Sequence, residues 1–210
     1  MAATLLLQII EISAVIASAF SGLFEARKKR MDFVGVYAVA LITAFGGGTL
    51  RDVLLNRRPL YWIEHDYLAV VIFAICIGAL YLSRGRRMPQ MLIDVPDALG
   101  LGLFSITGAY YAVQGGTSLF IASLFGVITG VFGGVLRDVV CNEIPAVFSA
   151  HTSLYATCSF AGTWVYLGMY KMGATNLTAT IATLAVTFAL RMIAIRYDVR
   201  LPMPLDERKT

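Results

Sequence analysis

Residues Ile42–Pro59 read ITAFGGGTLRDVLLNRRP, with three adjacent glycines, an arginine and an aspartate inside a segment otherwise apolar enough to span a membrane. Glycine in a helix interior costs about 1 kcal/mol against alanine, and an ionisable side chain at membrane depth is costly and marks function. Residues Ile128–Pro145, ITGVFGGVLRDVVCNEIP, set the same types in the same order without a gap.

At one spacing, 137 − 51 = 86, Thr43 meets Thr129, Gly47 meets Gly133, Gly48 meets Gly134, Arg51 meets Arg137, Asp52 meets Asp138, and Asn56 meets Asn142. The register extends outward to Glu11 with Asp97, Gly22 with Gly108, and His65 with His151. The chain is therefore a duplication, and the charges belong to both copies.

Of the 210 residues 58% are hydrophobic and 14% charged, and the mean hydropathy is +0.75, which excludes a water-soluble globule. Seven windows have the length and apolarity of spanning helices: 5–25, 33–55, 67–83, 93–113, 118–141, 152–170 and 176–195. The first lacks a basic leader and is followed by ARKKR, so it reads as a retained helix.

The fold class expected is an all-α polytopic membrane protein of seven transmembrane helices. Residues 1–88 and 89–172 form two three-helix repeats, and 173–210 the seventh helix and a tail. Each repeat has an odd number of spans, so the second enters from the opposite side, an inverted 3+3 arrangement found in solute transporters. Basic residues after helices one, three and seven, among them Arg27–Arg30, Arg84, Arg86, Arg87, Arg196, Arg200, Arg208 and Lys209, put the N-terminus outside and the C-terminus in the cytoplasm. This basic excess is a topology signal and calls for no nucleic acid.

Positions four apart share a helix face. One face of helix five carries Gly126, Gly130, Gly134, Asp138 and Asn142, and the matching face of helix two carries Ala40, Ala44, Gly48, Asp52 and Asn56. Gly46, Gly47, Gly48, Gly133 and Gly134 permit close packing or a bend that frees carbonyls for a cation. With Asp52, Asn56, Asp138 and Asn142 they are the candidate ion pathway. Arg51 and Arg137 are candidates for gating or charge pairing, expected to cross between repeats as Arg51 with Asp138 and Arg137 with Asp52. Glu11 and Asp97 stand at a pathway mouth or pair with an arginine.

Cys76, Cys141 and Cys158 lie in apolar windows with no CxxC, so no metal and no disulfide framework is indicated. No nucleotide loop, HExxH or nucleophile-base pattern points to an enzyme.

The duplicated GGGTLRD and FGGVLRD, on a three-plus-three-plus-one plan, resemble the trimeric intracellular cation (TRIC) channel family in its prokaryotic branch. That resemblance implies a homotrimer in the inner, plasma membrane, surrounded by lipids, each subunit with its own pore for monovalent cations, chiefly potassium. It also implies kinks at the glycines of helices two and five, although Phe132 stands where the second repeat would have its first glycine. No cofactor is implied beyond a permeant potassium or sodium ion. The same family is also named a glycine transporter domain, so secondary transport of a small zwitterion is the alternative. A lipid-organising protein without flux is a third class.

Overall fold

Every one of the seven windows contains a helix in the computed structural model, which describes residues 2–82, 89–149 and 154–200. Arg84, Arg86, Arg87, His151, Arg208 and Lys209 lie outside the described residues. The helices are α1 (Ala2–Lys28), α2 (Phe33–Leu54), α3 (Tyr61–Glu64), α4 (Tyr67–Leu82), α5 (Met91–Gln114), α6 (Leu119–Val140), α7 (Ala156–Lys171) and α8 (Asn176–Arg196). Helices two and five of the sequence reading are thus α2 and α6, and the one-turn α3 was not expected. Among the described residues five helices are long and apolar enough to cross a membrane, while α4 and α7 show 16 described residues each, short of the roughly 20 a span needs. The protein is an all-helical integral membrane protein.

The duplication is visible in how helices start and stop. Asp32 caps α2 by accepting from Gly35 N at 2.8 Å, and Ser118, at the matching position, caps α6 by accepting from Ile121 N at 3.3 Å. At the other ends, Asn56 and Asn142 adopt left-handed φ of 51° and 57°. Arg57 N then reaches back to Asp52 O, and Glu143 N to Asp138 O, both at 2.8 Å, closing each helix in a Schellman turn.

Helix α1 lies antiparallel to α5, since Lys28 Nζ at its end donates to Gln90 Oε1 at 2.9 Å, while Tyr111 near the end of α5 donates to Glu11 Oε2 at 3.3 Å. Lys29 and Glu143 pair across the loops at the ends of α1 and α6, and the lysine's hydrogen bond and charge hold the Glu143 carboxyl below its usual range. Large apolar side chains such as Val34, Val70, Phe120 and Ile181 face outward, and the interior holds many hydroxyls, among them Ser105, Thr107, Ser159 and Thr163. That distribution suits lipid, where helices associate through small residues and internal hydrogen bonds.

Both α2 and α6 run unbroken through their glycines. A Cβ at Gly47 would overlap the carbonyl oxygen of Thr129, and a Cβ at Gly133 would overlap that of Thr43, so the two backbones touch at mid-helix. Thr43 and Thr129 turn their own hydroxyls to Val39 O and Phe125 O, each at 2.6 Å. The same threonines close over Gly22 and Gly108, where a Cβ would come within 2.5 Å of each hydroxyl oxygen.

Gly47→Ala and Gly133→Ala are therefore expected to abolish the monodisperse folded peak in detergent chromatography. Gly48→Ala, where a Cβ would meet only Arg51 Nη2 at 3.9 Å, should leave it intact. Equal behaviour of the three variants would remove the crossing from this account.

Candidate charged clusters flanking the helix crossing

The residues repeated in sequence come together as two separate clusters. Arg51 sits in the last turn of α2 with its side chain fully buried. Its Nε donates to Asp52 Oδ1 at 2.9 Å, and its Nη1 donates to Glu11 Oε1 at 2.6 Å and to Thr107 Oγ1 at 3.2 Å. Asp52 also accepts from Arg57 Nη1 at 2.9 Å and from Tyr61 N at 3.1 Å. The Tyr111 ring lies 4.5 Å from the Arg51 guanidinium and 3.5 Å from that of Arg57, within cation-π range.

The second cluster copies the first. Arg137, in the last turn of α6, donates through Nε to Asp138 Oδ1 at 2.9 Å, and through Nη1 to Asp97 Oδ1 at 2.6 Å and Ser21 Oγ at 2.5 Å. Ala146 N donates to Asp138 Oδ2 at 3.0 Å. Ser21 and Thr107 are themselves 86 positions apart, and each serves the arginine of the other repeat.

The expected cross-repeat ion pairs do not form. Gly47 packs on Thr129 and Gly133 on Thr43, so α2 and α6 cross antiparallel and the level of Asp138 falls near Ala38. Arg51 lies thirteen residues further along α2, about 20 Å away at 1.5 Å per residue, beyond reach of any side chain. Each guanidinium folds back on its own neighbour, which a long side chain can do although adjacent Cβ atoms point 100° apart. What each of these two arginines hydrogen-bonds in the other repeat is a hydroxyl.

The face of Gly48, Asp52 and Asn56, with its partner of Gly134, Asp138 and Asn142, is also shorter than its spacing implies. The helices end at Leu54 and Val140, so Asn56 and Asn142 leave the stripe as exposed terminators. Gly46 packs toward Leu136, Gly48 borders Arg51, and Gly134 lies under the Tyr155 hydroxyl.

Several members of the clusters had not been singled out. Ser21 and Thr107 were detectable as a hydroxyl pair in the duplication register. The counterpart of Arg57, at 143, is a glutamate, so no repeat signal marks it. Arg191, on α8, lies 4.7 Å above the Tyr155 ring and donates to Leu154 O at 3.0 Å, outside the duplicated frame altogether.

Removing one member of a buried ion pair strands the other, at about 3–5 kcal/mol. Arg51→Gln, which leaves Glu11 and Asp52 short of a cation, should collapse thermal stability in detergent. Arg57→Gln, at a side chain 37% exposed, should cost far less. A melting midpoint for Arg51→Gln within a degree or so of the parent would show that the cluster is not holding the fold.

A family model described as Glycine transporter matches residues 8–84 and again 94–171, two stretches whose starts are 94 − 8 = 86 apart, the spacing of the motif. The UPF0126 inner membrane protein YadS of Escherichia coli (strain K12) is 37% identical over 201 residues, covering 94% of this chain and 96% of YadS. A UPF0126 membrane protein of Vibrio cholerae is 36% identical, covering 95% of this chain and 83% of that one. Among solved structures, the TRIC trimeric intracellular cation channel orthologue from Rhodobacter sphaeroides superposes with a TM-score of 0.85 at 27% identity, covering 92% of this chain and 99% of that one. A prokaryotic TRIC channel in 0.5 M KCl gives 0.86 at 28% identity, covering 94% and 100%.

Proposed function

This chain belongs to the family of prokaryotic TRIC-type membrane proteins whose model is described as Glycine transporter, and from that premise we propose that it is a potassium-permeable cation channel with a path inside each subunit. The observation that carries this reading is the likeness to TRIC cation channels over more than nine-tenths of the chain. The protein is a conduit, not an enzyme, and works as a homotrimer in the prokaryotic inner membrane, with lipids around it.

On this reading α1, α2 and α4 form one repeat and α5, α6 and α7 its inverted copy, with α8 added, N-terminus outside and C-terminus in the cytoplasm. The antiparallel run of α1 against α5, and of α2 against α6, supports the inversion. The path follows the crossing of α2 and α6 between the two charged clusters. Asp52 and Asp138 face it from opposite ends, Asn56 and Asn142 flank its mouths, and Arg51, Arg137, Glu11 and Asp97 set the local field. Bending at Gly46–Gly48 and at Gly133 and Gly134 is the motion that widens it and turns carbonyls toward a permeant potassium or sodium ion.

The family description favours a second reading, coupled transport of a small zwitterion such as glycine. Planar bilayers holding the purified protein under asymmetric potassium chloride separate the two. Unitary currents reversing toward the potassium potential are expected. Saturable glycine uptake coupled to an ion, without unitary currents, would replace the channel by the transporter, and no flux of either kind would remove both. Gly48→Leu should suppress any current while the folded peak persists, and Gly48→Ala should conduct, because position 48 takes a side chain without touching the backbone contact at Gly47 and Gly133.

A further inference from the structure

Arg51 and Tyr61 share an unfinished hydrogen-bond account. Arg51 Nη2 and Tyr61 Oη are both buried and find no hydrogen-bond partner among the described residues. Nη2 does lie 2.9 Å from Asp52 Oδ1, but that oxygen takes its aligned bond from Nε. Both atoms belong to side chains lining one small cavity between α1, α2, α3 and α5, which Glu11, Gly48 and Thr49 also line. The space open to the centre of a water molecule is about 10 Å³, roughly the minimum that one buried water needs.

The second repeat shows what such a place holds when the protein fills it. There Tyr155 sets its hydroxyl over Gly134, 2.8 Å from where a Cβ would lie, with Arg137 Nη2 3.7 Å from the same point. The position matching Tyr155 in the first repeat, 155 − 86, is Ala69, whose side chain has no oxygen to offer. Gly48, matching Gly134, has only Arg51 Nη2 near it, at 3.9 Å from a Cβ position.

We infer that the first repeat binds a single water molecule beside Gly48, accepting from Arg51 Nη2 and bonded to Tyr61 Oη, where the second repeat uses the Tyr155 hydroxyl. The unpaired Arg51 Nη2 calls for a hydrogen-bond acceptor, and the Glu11 carboxylate on the same wall is already held by Arg51 Nη1. The volume admits water and shuts out a carboxylate-bearing amino acid. The inference does not depend on what the protein conducts.

An experimental structure of the full chain in nanodiscs, at a resolution that shows ordered water, tests it directly. A peak within hydrogen-bond distance of both Arg51 Nη2 and Tyr61 Oη is expected. Empty density between two well-ordered side chains overturns the site.

A thermal melt of variants tests it independently. Tyr61→Phe removes one partner of the water while keeping the backbone N–H that serves Asp52, and should lower the melting midpoint by several degrees. Adding Gly48→Ser to Tyr61→Phe should recover it, because the new hydroxyl can accept from Arg51 Nη2. Gly48→Ala in the same background should recover less, although alanine is the better helix former. No loss in Tyr61→Phe, or equal recovery by alanine and serine, would overturn the site.

Discussion

Main chain meets main chain where α2 crosses α6, Gly47 on the Thr129 carbonyl and Gly133 on that of Thr43, and no side chain separates them. That contact fixes how close and how antiparallel the two helices run. The close approach leaves no room for a Cβ, and the antiparallel direction sends the two arginines to opposite ends of the pair. The hydroxyls of Thr43 and Thr129, already spent on their own helices, leave those carbonyls as smooth surface for a glycine. Such packing suits a lipid environment, where apolar surface gives helices no reason to prefer each other over acyl chains.

The clusters then follow from burial. A guanidinium at the end of a membrane helix, shut off from water, needs counter-charges and acceptors close by. The chain supplies an acid from the same repeat, a hydroxyl from the other, and the aspartate next in sequence. The first cluster has two arginines, Arg51 and Arg57, against two carboxylates, Glu11 and Asp52, whereas in the second Arg137 pairs with Asp97 and Asp138 and the position matching Arg57 is Glu143. The copies have diverged in charge while keeping their geometry.

Much of this was legible in the sequence because a duplication prints each contact twice. Glu11 with Asp97, Arg51 with Arg137, and the cap positions Asp32 and Ser118 can all be read at one offset. What could not be read was partnership. The face argument placed Arg51 and Asp52 on different stripes and sent the arginine across the molecule, but side-chain length defeats that argument where the guanidinium folds back along its helix. Spacing also carried the stripe on to Asn56 and Asn142, beyond the helix ends, because i+4 arithmetic does not know that an asparagine terminates a helix in the left-handed region. Arg57, Tyr155 and Arg191 have no counterpart of their own type in the other repeat, so the method that found the rest passed over them.

A rod held at one point turns as a lever. With the crossing as fulcrum, the α2 arm that ends in Arg51 and the α6 arm that ends in Arg137 point toward opposite ends of the bundle. If one arm tilts, the space at the far end changes with it, and no chain of side chains is needed to carry the message. A coupling carried through that crossing would have the same size in both directions, as linkage requires. The tightest spot in the molecule, which looks like its most static part, is the place about which its two ends keep account of each other.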